Sequence, residues 1–265
     1  MNWFYEMNPV MQSLIAGIFT FSITALGAFV VCFFKECNKK VLDTVLGFSA
    51  GVMIAASFWS LLTPSIDLST TLGYSAWLFP SLGFVFGGLF VLISDKIVDV
   101  VMDKKEITNK VSLKRKILLV SAVTIHNIPE GLSLGVAFGG LALNIEGLSA
   151  IGAIMLAIGI GIQNFPEGAS VSLPLRSEGV SRFKSFLIGA LSAIVEPISA
   201  VIGAILVSKI RSFLPFLLSF AAGAMIIVVA RELLPESIRE NKNLSTIGLI
   251  LGFIIMMILD LAFIN

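Results

Sequence analysis

His126-Asn127-Ile128-Pro129-Glu130-Gly131 and Gln163-Asn164-Phe165-Pro166-Glu167-Gly168 decide how this chain is read. They are one pattern written twice, 37 positions apart, and both lie inside long apolar runs. Each puts a carboxylate where such a run ordinarily has leucine. On a helix, residues three and four apart share a face. His126 and Asn127 therefore lean over Glu130, and Gln163 and Asn164 lean over Glu167. Pro129 and Pro166 lack a backbone N–H, so the carbonyls of Ile125 and Ile162 lose their helical donors. A bent helix with freed carbonyls and clustered N and O side chains suits a cation. Two such helices face to face form a cage.

The surroundings are those of a membrane protein. Of 265 residues, 57% are hydrophobic and 13% charged, about half the charged share of a soluble domain. A net charge of +1 argues against a nucleic-acid partner. Cys32 and Cys37 sit by a lysine-rich loop and read as free thiols, since their spacing fits no structural zinc pattern. The first apolar run follows Met1–Glu6, which holds no Lys or Arg, and is too long for a cleaved signal.

A span needs about 20 apolar residues. The sequence predicts an all-α membrane protein with eight: Pro9–Phe34, Leu42–Leu62, Trp77–Val101, Lys116–Gly139, Leu148–Leu175, Phe186–Val207, Phe213–Leu234 and Leu244–Ile264. The fourth and fifth are kinked by the motif prolines and sit at the centre of the bundle. Gly83/Gly87 and Gly135/Gly139 have the spacing that lets helices approach closely, and read as packing. Of the 18 Lys and Arg, only Lys209 and Arg211 fall outside the odd-numbered loops and their flanks. Positive residues favour the cytosol, so both termini are expected outside the cell or in the periplasm. One transmembrane domain covers 1–265, with a cytosolic loop at about 102–115.

Glu130, Glu167 and Glu196 are the acids expected within the membrane, the last mid-span in Ile194-Val195-Glu196-Pro197. An ionisable group at that depth is expensive and marks a functional site by default. One imidazole with many oxygens and no thiolate suits a borderline divalent ion such as Zn²⁺, Fe²⁺ or Mn²⁺. Magnesium prefers fewer protein ligands and more water. Three carboxylates can neutralise more than one divalent ion. Transport sites form near the midplane on discontinuous helices, whereas a permanent structural site has little reason to.

The paired motifs resemble those on the fourth and fifth helices of the ZIP family of metal-ion transporters, most of all its compact prokaryotic GufA-like branch. The likeness extends over the whole chain. It implies a binuclear site. One position would use His126, Glu130, Gln163 and Glu167, joined by a second-helix methionine, for which Met53 fits. The other would use Asn127, Glu130, Asn164, Glu167 and Glu196. Some relatives carry Asp at the place of Asn164, and the neutral amide lowers the charge of that position. Relatives often have His-Glu as exit ligands where this chain has Arg231-Glu232. Arg231 departs from that pattern, since a guanidinium repels a cation, and is expected to pair with Glu232 or a lipid phosphate. Ser60, one to two turns beyond Met53, is placed at the entrance or in packing. The resemblance also implies a homodimer and alternating access.

The resulting expectation is a multi-pass protein of the plasma or inner membrane that moves a divalent metal into the cytosol. Zinc leads, with Cd²⁺, Fe²⁺ and Mn²⁺ as further cargo. There is no catalytic residue and no organic cofactor, and the partners are metal ions and lipid. Two rivals stand beside it. A passive cation channel would share the acidic lining. An intramembrane metalloenzyme needs an open metal and a base, and the chain has no His-Glu-x-x-His and a single histidine.

Overall fold

The computed structural model describes residues 4, 6–33, 39–104, 111–141, 149–177, 179–209 and 211–262. Among them every regular element is helical. The helices are α1 Pro9–Phe29, α2 Lys39–Ala56, α3 Thr63–Thr71, α4 Leu78–Lys104, α5 Val111–Leu141, α6 Ala150–Ser177, α7 Arg182–Leu191, α8 Val195–Lys209, α9 Leu214–Val228, α10 Leu234–Ser237 and α11 Lys242–Ala262. Among the described residues seven stretches are long and apolar enough to cross a bilayer: Pro9–Cys32, Lys39–Thr71, Leu78–Ile97, Ala150–Arg176, Arg182–Val207, Leu214–Ser237 and Lys242–Leu261. The expected fourth span falls within α5, a 31-residue helix that is not one of the seven. The expected loop at 102–115 is partly helical, since α4 runs to Lys104 and α5 begins at Val111. Cys32 is a free thiol, and Cys37 lies outside the described residues.

Three of the spans are interrupted. α5 and α6 run unbroken through Pro129 and Pro166, but the sixth span breaks at residues 192–194, between α7 and α8. π-helical turns occupy Ser57–Leu62 before α3 and Val229–Leu233 before α10. Pro64 and Pro235 account for both turns. A proline offers no N–H to the carbonyl four residues back, here Ser60 and Arg231, and its ring crowds that carbonyl. A wider turn absorbs the conflict, and such turns recur at functional sites.

The helices pack as two bodies. α1, α5, α6, α7 and α8 form one; α2, α4, α9 and α11 form the other, with α3 and the π turns. Glycines fuse each body internally. In the first, Gly27 faces the Phe165 carbonyl, Gly168 the Thr24 carbonyl and Gly135 the Ala200 carbonyl. In the second, Gly51 faces the Leu249 carbonyl and Gly87 the Phe220 carbonyl. A Cβ at any of these would overlap backbone, so only glycine permits the approach.

Both glycine pairs singled out in the sequence are therefore packing devices, on α4 against α9 and on α5 against α8. Among the described glycines, the one that meets the opposite body is Gly159, and it meets the Met256 thioether rather than backbone. At one end of the second body, buried Asp43 accepts from the backbone N–H groups of Glu240 and Asn241 at 3.0 and 2.6 Å, pinning the start of α11 to α2.

Candidate metal site

The last residue of each motif explains why the site forms where it does. Gly131 lets α5 lie against the backbone of Glu196 on α8, and Gly168 lets α6 lie against α1. Asn127, Glu130, Gln163, Asn164 and Glu167 are thereby turned inward, while Phe165 faces outward, 45% exposed.

The two motifs touch directly. Gln163 Nε2 on α6 donates to Glu130 Oε1 on α5. Asn164 turns the other way: its Nδ2 donates to both carboxylate oxygens of Glu196, 2.9 Å each, and lies 3.4 Å from the Thr20 carbonyl. The Thr24 hydroxyl lies 3.5 Å from Glu196 Oε1. Asn127 Nδ2 donates to the Ser192 carbonyl at 3.2 Å, a group at the break between α7 and α8. Asn127, Glu130, Gln163, Asn164, Glu167 and Glu196 are all buried, none more than 5% exposed.

Glu196 is not inside a continuous helix, as the apolar run had predicted. It stands in the first turn of α8, just after the break. The position is favourable for an acid, because helix N-termini carry partial positive charge, and for Pro197, whose missing N–H costs least in a first turn.

This cluster fits a cation. Asn127 Oδ1, Gln163 Oε1 and Asn164 Oδ1 are buried and accept no hydrogen bond among the described residues. A buried polar group left that way costs about 1–3 kcal/mol. Each of the three oxygens is an acceptor that a metal ion would satisfy, and the one on Gln163 belongs to an amide already in contact with Glu130. The acids themselves do not pool: among the described residues no three His, Cys, Asp or Glu side chains gather closely enough to hold a metal. Amides are interleaved between them. The side chain of His126 lies outside those described. Met53 is 1% exposed on α2. Ser49, one turn before it, has its hydroxyl 3.5 Å from the Gln163 carbonyl, so Met53 shares the face of α2 turned to the motif.

Two further polar contacts lie beyond the cluster. Ser60, in the first π turn, donates to Asp260 Oδ1 on α11 at 2.6 Å. Asp260 is 2% exposed, and its Oδ2 accepts nothing among the described residues. Sequence reasoning had counted only the three glutamates as membrane acids and missed this aspartate. Its signal was a lone acid in Ile258-Leu259-Asp260-Leu261. Arg231, in the second π turn, reaches Asp95 of α4 at 3.5 Å. Asp95, a partner the sequence reading did not name, is brought within reach because α4 and α9 are fused through their glycines. Glu232 sits half-buried beside it.

Helices of membrane length, folded around a dry nest of amides and carboxylates, define a multi-pass membrane protein built to handle cations. The family model described as the ZIP zinc transporter matches residues 11–114 and 109–260. The chain belongs to that family. Zinc transporter ZIP11 of Xenopus tropicalis is 36% identical, covering 96% of this chain and 97% of its own. Zinc transporter GufA of Myxococcus xanthus is 33% identical, covering 94% and 98%. Zinc transporter ZupT of Clostridium perfringens is 32% identical, covering 98% of each. The family carries metal and is not enzymatic, which removes the metalloenzyme reading.

Proposed function

We propose that this chain carries zinc, and with it other borderline divalent ions, into the cytosol through a site at the bilayer midplane. The observation that carries the reading is the set of buried amide oxygens of Asn127, Gln163 and Asn164, left without hydrogen bonds among the described residues beside Glu130 and Glu167. Two carboxylates match one divalent ion, so the loaded site is neutral and tolerable in a medium of low dielectric. Gln163 turns its oxygen inward when the ion displaces its N–H from Glu130. His126 and Met53 complete the shell, a donor mixture suited to a borderline ion.

α5, fourth in chain order, brings the number of crossings to eight, and the distribution of Lys and Arg keeps both termini outside. Incoming ions meet Asp260 and Ser60 first, at the outer end of α2 and α11, and shed water there. They leave past Glu232. Arg231, held by Asp95, stands aside from that exit. Two internally fused bodies with side-chain contact between them support alternating access, in which the body bearing the motifs slides against the other. Protonation of the ligands opposes loading, because a metal requires them deprotonated.

Zn²⁺ uptake into proteoliposomes tests this. Saturable uptake, inhibited by Cd²⁺, Fe²⁺ or Mn²⁺ added outside, is the expected result. Flux that rises linearly with concentration, without saturation or competition, would identify a channel.

A further inference from the structure

We infer that the site takes one divalent ion and not two, because Asn164 occupies the place of the second. This rests on the transport reading above and concerns the number of ions that the site loads.

The geometry is that of a clamp. The Asn164 amide nitrogen sits 2.9 Å from each oxygen of Glu196. That equidistant place, in front of both oxygens, is where a carboxylate holds a metal with two donor atoms. The Thr24 hydroxyl approaches the same carboxylate from α1, and the Thr20 carbonyl lies near the same amide nitrogen. Gly27 and Gly168 hold α1 against α6, and Gly17 holds α1 against Pro197 of α8, so the three helices that carry these groups are packed backbone to backbone through α1. Glu196 is thus held by N–H and O–H donors of the protein.

Charge leads to the same conclusion. Two divalent ions bring four positive charges, and Glu130, Glu167 and Glu196 supply three negative ones. The imbalance would leave a net charge in a site with no water contact, at a cost of several kcal/mol. A single ion is balanced by Glu130 and Glu167, and the one remaining negative charge, on Glu196, is met by the Asn164 N–H and Thr24 O–H groups. An aspartate at position 164 would remove the amide clamp and add the fourth negative charge.

The experiment is zinc stoichiometry by equilibrium dialysis of the full chain in detergent, with zinc-edge X-ray absorption on the same samples. Wild type is expected to hold one zinc per chain, with no zinc–zinc scattering. Asn164→Asp is expected to hold two, with a metal–metal vector of about 3.5–4 Å. Two zincs with that vector in wild type would overturn the inference while leaving the transport site intact. No zinc in wild type at millimolar concentration would overturn the site itself. The wild-type measurement decides even if Asn164→Asp fails to fold.

Discussion

Where α6 meets α1, Gly27 lies against the Phe165 carbonyl and Gly168 against the Thr24 carbonyl; where α6 meets α11, Gly159 faces only the thioether of Met256. The first contact is backbone on backbone and cannot slide without breaking. The second is a flexible side chain, which can re-pack. The two bodies also differ in what they leave unsatisfied. In the motif-bearing body Asn127, Gln163, Asn164 and Ser185 bury oxygens that make no hydrogen bond among the described residues, whereas in its neighbour Asp260 alone does. The serines of the second body mostly bond carbonyls, as Ser57 does Met53 and Ser65 does Pro215. One body is therefore built to hold something, and the other to be held against.

The largest expected effect comes from tying the bodies together. In a background with Cys32 and Cys37 replaced by serine, the pair Gly159→Cys/Met256→Cys should cross-link and stop zinc uptake, with recovery on reduction. Ser237 and Ser245 lie within one body, hydroxyls 2.8 Å apart. Cross-linking Ser237→Cys/Ser245→Cys should leave uptake near wild type. Equal transport by both cross-linked proteins would refute sliding.

Next in size is the stability contrast. Gly168→Val drives a side chain into the Thr24 carbonyl, and overpacking of that kind costs about 1–3 kcal/mol or more. It should lower the melting temperature by roughly 5–10 °C in a thermal-shift assay. Gly159→Ala asks only the Met256 side chain to move and should shift it by about 2 °C or less. A larger shift for Gly159→Ala would mean that the interface between bodies is as rigid as either interior.

Asp260→Asn should raise the zinc concentration for half-maximal uptake about tenfold, a loss of ~1.4 kcal/mol in capture. Ser60→Ala, which removes only a supporting hydrogen bond, should raise it about threefold. An unchanged concentration dependence in Asp260→Asn would take the outer acid off the path. Smallest of all, Arg231→Ala removes an ion pair whose guanidinium is half exposed, worth about 1 kcal/mol or less, and should change uptake by less than threefold.

Much of this was legible before any coordinates. Apolar runs place the spans, and a carboxylate beside proline marks each motif, because both residues are costly in a buried helix. The glycine spacings on α4 and α5 announce close packing. What stayed hidden depends on partners far away in the chain. Pro197 is a local sign that the sixth span restarts there, since proline is tolerated best in a first turn, but what satisfies the break is distant: the Ser192 carbonyl accepts from Asn127, 65 positions earlier. Asn164 reads locally as a neutral ligand, and only the position of Glu196 makes it a clamp. Arg231 reads as a neighbour of Glu232, and only the approach of α4 gives it Asp95. The π turns had a visible cause in Pro64 and Pro235, yet each span stays apolar straight through, so hydropathy alone passes over them.

Zinc uptake by proteoliposomes carrying Glu130→Ala or Glu167→Ala, each first shown to be folded by its melting curve, bears most directly on the claim that the two motifs hold the transported ion between them. Uptake at the level of empty vesicles in both variants is the expected result. Saturable uptake at the wild-type rate in Glu167→Ala would contradict it.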